Sequence, residues 1–174
     1  MRVRDRHSSD VPELVALLQR VHDEDNYPTV WPVDPPGWLV NVDGLGAWVA
    51  DAAGAIVGHV SLDPPGSGAR TDVWVESTGH PSTDLAEVTR LFIAPQHRGT
   101  GLGQRLLGRA VDAAHRLGLW PVLDVRHNGR AGASHLYAAA GWRFIGTAPR
   151  RLTPELVLPF DCWLGPYPSG TPGP

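Results

Sequence analysis

The sequence predicts a mixed α/β fold, one sheet flanked by helices in a single domain. Three observations carry this. Apolar residues recur at helical spacing in some segments and as short strand-like runs in others, and these segments follow the order α, ββ, then β-α-β-α-β-β. Glycine and proline punctuate the boundaries between them. At 174 residues the chain has the length of one domain, able to remove roughly 70% of its unfolded surface from water.

Asp10 is a good N-cap, with Pro12 and Glu13 in the first turn. Leu14, Leu17, Leu18 and Val21 follow at helical spacing, so the first helix covers about 10–23. Residues 27–40 hold two tryptophans and four prolines, which predicts an aromatic-bearing loop or broken helix. Residues 47–50 and 55–62 read as an antiparallel hairpin around Asp51-Ala52-Ala53-Gly54. Residues 63–72 read as a Gly/Pro-rich loop, and Trp74 as part of a short strand or a substrate wall.

Leu85 to Ile93 is the next strand, with Glu87, Thr89, Leu91 and Ile93 expected on one face and Val88, Arg90 and Phe92 on the other. Pro95 ends it. A helix follows over about 101–117, its apolar face Leu102, Leu106, Ala110, Val111, Ala114 and Leu117, stopped by Gly118. Trp120 to Arg126 is a strand, about 130–140 a short helix ending at Gly141, and 142–147 and 155–164 two more strands. The domain is expected to end at 164, leaving 165–174 as a Pro/Gly-rich tail with no fixed structure.

Composition narrows the function. Apolar residues make up 42% and charged residues 19%, the balance of a globular protein. A net charge of −3 offers no basic footprint, which argues against a nucleic-acid partner. The single cysteine, Cys162, rules out an intramolecular disulfide. Eight histidines lie scattered without ligand-like spacing, so no metal site is expected. No run is long and apolar enough for a membrane span, and Met1-Arg2-Val3-Arg4-Asp5 does not begin a signal peptide, so a cytoplasmic protein is the expectation.

The chemistry concentrates in Pro95-Gln96-His97-Arg98-Gly99-Thr100-Gly101-Leu102-Gly103. A strand ends and a glycine-rich turn opens a helix. Glycine lets backbone N–H groups converge without a Cβ in the way, the helix N-terminus adds partial positive charge, and Arg98 adds a full one. Such a turn suits a pyrophosphate. Several cofactors carry one. A nicotinamide or flavin dinucleotide is the rival, and Asp124, 23 residues after Gly101, stands near where a ribose-binding acid would. Against it, the third glycine comes one residue too early, and a polar segment, Pro95 to Arg98, separates strand from glycines. A kinase-like phosphate loop fails too, since no Gly-Lys-Ser/Thr follows.

Arg98-x-x-Gly101-x-Gly103 resembles the acetyl-CoA pyrophosphate motif of the GNAT superfamily of N-acetyltransferases. Downstream, Ala133-Ser134-His135-Leu136-Tyr137-Ala138-Ala139-Ala140-Gly141-Trp142 is similar to that family's second signature, in the right order and spacing. The resemblance covers about 85–147 well. It implies a mostly antiparallel sheet of six to seven strands with flanking helices and a splayed central strand pair. It also implies acetyl-CoA as cosubstrate and transfer to a small-molecule or peptide amine. Backbone groups of Leu91, Phe92 and Ile93 would meet the pantetheine arm, in a cleft where this strand splays from 120–126. Arg98, Gly99, Thr100, Gly101, Leu102 and Gly103 would hold the pyrophosphate, and Tyr137 would protonate the departing thiolate. Glu87, where the family often has a glutamate, is the candidate base, with Asp124 second. One departure stands out: the family's asparagine seven residues before the tyrosine is Arg130 here, with Asn128 nearby. Trp31, Trp38 and Trp74 would flank the acceptor side or pack in the core. A non-catalytic acyl-CoA-binding or regulatory module on the same scaffold is the alternative, and a homodimer is left open.

Overall fold

Fifteen residues from Val11 form the first long helix because Leu14, Leu17, Leu18 and Val21 make one apolar stripe, every one of them buried. The same logic orders the rest of the chain in the computed structural model, which describes residues 1–127 and 131–167. In sequence the elements are β1 (Arg2–Asp5), α1 (Val11–Asp25), α2 (Pro35–Leu39), β2 (Gly46–Ala52), β3 (Ala55–Asp63), α3 (Ala69–Thr78), β4 (Leu85–Ile93), α4 (Leu102–Arg116), β5 (Trp120–Arg126), α5 (Ala131–Ala139), β6 (Arg143–Arg151) and β7 (Val157–Leu164). The architecture is mixed α/β, with seven strands, mostly antiparallel, and flanking helices. The chain forms two compact units, residues 1–63 with 89–110, and residues 64–88 with 111–167.

The first unit holds β1, β2, β3, the second half of β4 and the start of α4. Strand β1 pairs antiparallel with β2, Arg2 opposite Asp51 and Asp5 opposite Trp48. The hairpin of β2 and β3 is the one expected, with a register shift at Ala50/Asp51. Helix α1 packs on α2 and β3, and Glu13 Oε1 accepts the Ile56 N–H at 2.8 Å. Asp10 occupies the N-cap position but does not cap α1. Its carboxylate instead takes two hydrogen bonds from Arg4, at 2.7 and 2.9 Å, and the His7 N–H. A charge-assisted bidentate pair outcompetes a single N–H as a partner.

The second unit holds the first half of β4, then β5, β7 and β6, with α3 and α5. A parallel ladder joins Leu85–Glu87 to Trp120–Val122. β7 pairs antiparallel with both β5 and β6. Its core gathers Trp74, Leu85, Val122, Ala148, Cys162 and Leu164.

Five expectations need correction. The loop assigned to 63–72 gives way at Ala69 to α3, bounded by Gly68 and Gly79 with φ of 111° and 70°. Buried Thr71, Trp74 and Thr78 repeat at helical spacing, so Trp74 lies in neither a strand nor a substrate wall, and α3 packs on β6 and β7. Leu117 falls just past α4 and is exposed, while Leu107, which was not expected, is buried. The strand expected over 142–147 runs on to Arg151, because β7 supplies partners as far as Val157. The segment expected to lose structure at Gly165 is pinned through Tyr167. The Gly165 N–H donates to Pro121 O and Trp120 Nε1 donates to Gly165 O, both at 2.8 Å, and the Tyr167 ring sits edge-on 4.4 Å from Trp120. The rest of that tail, 168–174, lies outside the described residues.

Candidate functional site

Strand β4 ends at Ile93, and a short turn at Pro95–His97 leads to Arg98. Gly99 and Gly101 follow with φ of 70° and 77°, a left-handed backbone that side chains rarely adopt. A Cβ at either would meet nothing within 4 Å, so both glycines face open space. Thr100 Oγ1 donates to His97 O at 2.7 Å and braces the turn from inside. Gly101 O accepts the Arg105 N–H at 3.2 Å, the first helical bond of α4. The first N–H groups of a helix have no partner within it and carry its positive end. Leu102 is buried and anchors the turn to the protein, while Gly103 sits in the first turn of α4.

Arg98 is already paired. Its guanidinium donates to both carboxylate oxygens of Asp25, at the end of α1, the longer contact being 3.1 Å, and reaches Ile93 O at 3.5 Å. Leu91 and Ile93 are half-buried. Phe92 is buried and stacks on His59, centroids 5.3 Å apart.

Regular alternation along β4 fails at Arg90, whose φ is 52°. Neighbouring strand residues normally point to opposite faces. Here Thr89 Oγ1 and Arg90 Nη1 both donate to Asp63 Oδ2, the first at 2.9 Å. The Arg90 guanidinium also lies over the Trp38 ring, 5.1 Å from its centroid, and its carbonyl contacts His59 Nδ1 at 3.0 Å. His59 is fully buried. Burial, above all, drives its pKa down to about 3, with Arg6 and Arg90 repelling a further positive charge. Sequence reading missed this cluster, because its hydrogen-bonded members lie up to 31 residues apart. Trp31 lies against His22 and Trp38 against Tyr27, all in the first unit.

Glu87, the candidate base, lies in the second unit. It is buried at 4% exposure. Arg70, one turn before Trp74 on α3, places one nitrogen, Nη1, 2.8 Å from Glu87 Oε1 and 2.8 Å from Asp124 Oδ2. Asp124 also receives Arg150 Nη1 at 3.0 Å. The two candidate carboxylates are thus brought together, on one guanidinium. Burial lifts the Glu87 carboxyl above its ordinary range, and the Asp124 charge adds to this, while Arg70 opposes it. Arg70 feels burial in the opposite sense, but the two carboxylates outweigh it and strengthen its hold on its proton. Burial makes a carboxylate a stronger proton acceptor than a surface acid, while a facing cation pulls the other way and holds it in place.

Tyr137, on α5 in the same unit, is 8% exposed and packs against Trp142 and Trp163, with centroids 6.1 and 5.9 Å away. Asn128 and Arg130 lie outside the described residues. Cys162 is buried beside Asp124 in the sheet register, and burial pushes its thiol up to about 11. It is a core residue, unsuited to nucleophilic work at neutral pH.

Comparison with known proteins agrees with this architecture. The acetyltransferase (GNAT) family model matches residues 12–142. No curated protein sequence matches the chain. The solved structure of yncA from Salmonella typhimurium, a candidate acetyltransferase with its cofactor acetyl-CoA, superposes with a TM-score of 0.72 at 18% identity, covering 100% of this chain and 97% of that one. The ribosomal-protein-S18-alanine N-acetyltransferase of Escherichia coli gives 0.69 at 16% identity, over 98% and 96% of the two chains. The ribosomal-protein-alanine N-acetyltransferase of Brucella melitensis gives 0.68 at 21% identity, over 94% and 98%. These likenesses concern the fold. Among the described residues no helix is long and apolar enough to cross a membrane. With the family model spanning three quarters of its length, this chain belongs to the GNAT family of acetyltransferases, whose acetyl donor is acetyl-CoA.

Proposed function

We propose that this protein transfers the acetyl group of acetyl-CoA to a primary amine by direct attack, with residues 1–164 acting as one catalytic domain. The observation that carries the reading is the turn before α4. Two left-handed glycines with no atom facing them, an arginine and a helix N-terminus suit a pyrophosphate, which needs close backbone approach and positive charge. Arg98 to Gly103 would hold it, and backbone groups of Leu91, Phe92 and Ile93 would bind the pantetheine arm.

The residues' chemistry follows from what the reaction demands. At neutral pH only about one amine in a few thousand is unprotonated, given a pKa of about 10.4. Glu87 takes the proton, its affinity for it raised by burial. Arg70 and Asp124 are positioning groups that keep the acid in place. The amine nitrogen forms a bond to the thioester carbonyl carbon, the C–S bond breaks, and Tyr137 donates its phenolic proton to the departing thiolate. The second proton shed by the attacking nitrogen passes to solvent, which reprotonates the phenolate. The Ile93 N–H polarises the carbonyl in the transition state.

The test is release of free CoA from acetyl-CoA across a panel of amines, with Tyr137→Phe beside the parent. A hit with one amine class, and a fall in turnover of about 10²–10⁴-fold in the variant with CoA binding little changed, is the expected outcome. Binding of acetyl-CoA without release to any amine would mark a non-catalytic acyl-CoA module instead.

A further inference from the structure

The first unit contains a cavity of about 90 Å³ whose walls include Arg6, Leu39, Asn41, Gly44, Ser61 and Asp63. Two of these walls are buried polar groups with unmet hydrogen-bonding capacity. Ser61 and Asp63 stand two apart on β3, on one face of the strand, and are 3% and 5% exposed. Among the described residues, Ser61 Oγ and Asp63 Oδ1 have no hydrogen-bond partner, although Asp63 Oδ2 takes two donors from Thr89 and Arg90. An unpartnered buried polar atom costs about 1–3 kcal/mol, so two lining one cavity call for an explanation. Gly44, on the exposed loop before β2, keeps the site open. A Cβ there would come within 3.0 Å of Asp63 Oδ1.

The charges define what fits. Arg6 spends one N–H on the Leu39 carbonyl, and a guanidinium carries five. Arg6 feels the charge of Asp63 and, after it, of Asp10, whose carboxylate is already taken by Arg4 and the His7 N–H, and His59 is held neutral. Among the described residues Arg6 closes no ion pair, and Asp63 Oδ1 has no donor. One water needs only about 10–15 Å³ of such space, so the cavity admits a molecule of several heavy atoms.

We propose that this cavity binds the head group of a small α-amino acid, the carboxylate against Arg6, the ammonium against Asp63 Oδ1, and the Ser61 hydroxyl bonding to either. The site lies wholly within the first unit, and binding there requires neither acetyl-CoA nor acetyl transfer. Failure of the test would leave the acetyltransferase reading untouched.

The test is calorimetric titration of the full chain with glycine, L-alanine and L-serine, without acetyl-CoA. Propionate and ethylamine serve as ligands that each lack one charge. Saturable binding of an amino acid is expected, at least tenfold tighter than either single-charge analogue. Gly44→Ala, which adds only a methyl group at the mouth, and Ser61→Ala, which removes the unpartnered hydroxyl, should each weaken it several-fold without unfolding the protein. No saturable binding of any of the three amino acids overturns the proposal. So does equal binding of propionate or ethylamine, unchanged affinity in both variants, or a crystal grown with millimolar alanine that shows only water in the cavity.

Discussion

The molecule contains two buried polar clusters of similar composition and opposite economy. In the second unit, Arg70, Glu87, Asp124 and Arg150 pair two carboxylates with two guanidiniums and leave none of their buried side-chain atoms unpartnered among the described residues. In the first, Asp63, Thr89, Arg90, His59 and Ser61 leave Asp63 Oδ1, Arg90 Nε, His59 Nε2 and Ser61 Oγ without partners among the described residues. A satisfied network rigidifies its surroundings, whereas a partly satisfied one is held at a cost in stability. The difference assigns them different work: the first cluster is built to receive something, the second to hold two acids in fixed positions.

Breaking the satisfied cluster should have the largest effect. Arg70→Met removes the cation shared by Glu87 and Asp124, leaving buried charge uncompensated. A loss of about 3–5 kcal/mol is expected in urea unfolding. A loss below 1 kcal/mol would mean that the pair carries little of the unit's stability.

The open cluster should respond to pH. Native His59 stays neutral down to about pH 3, while in the unfolded chain it takes a proton near 6.5. Below pH 6.5 the unfolded state therefore binds a proton that the native state refuses. Stability should fall as pH drops from about 6.5 toward about 3, by up to about 1.4 kcal/mol per unit, and this contribution should be flat above 6.5. Unfolding midpoints of the parent and His59→Gln between pH 4.5 and 8 measure it. Equal slopes in the two proteins would remove His59 as the cause.

The smallest effect should come from Ser61→Ala. Deleting a hydroxyl that has no protein partner should leave stability unchanged or raise it by about 1 kcal/mol. A loss above that would show that the hydroxyl is satisfied in solution and that the contrast between the clusters is overstated.

What could be read from sequence follows from how far apart the interacting residues are. The turn from Arg98 to Gly103 is contiguous, and its glycines adopt the backbone that their spacing suggested. Strands 85–93 and 120–126 were legible to the residue, because each is an apolar run bounded by turn signals. β1 was not legible, since four residues with a single apolar side chain, Val3, give no pattern, and only pairing with β2 makes them a strand. Glu87 and Asp124 could each be singled out, but Arg70 lies 17 and 54 residues from them, in a segment that read as loop. Asp63 reaches Thr89 across 26 residues, and Arg90's left-handed backbone has no local cause such as glycine. Long-range charge pairing leaves no periodicity to read.

The pairing of Arg98 with Asp25 bears on how strongly a phosphate ligand would feel the ionic medium. An arginine waiting in water gives up only water and counter-ions when an anion arrives. Arg98 would give up a carboxylate, so its contribution becomes an exchange of one anion for another. Added salt screens both sides of that exchange. The affinity contributed by this residue should then vary less with ionic strength than a bare guanidinium's would, and the carboxylate released at the end of α1 would be left facing the newly bound negative charge.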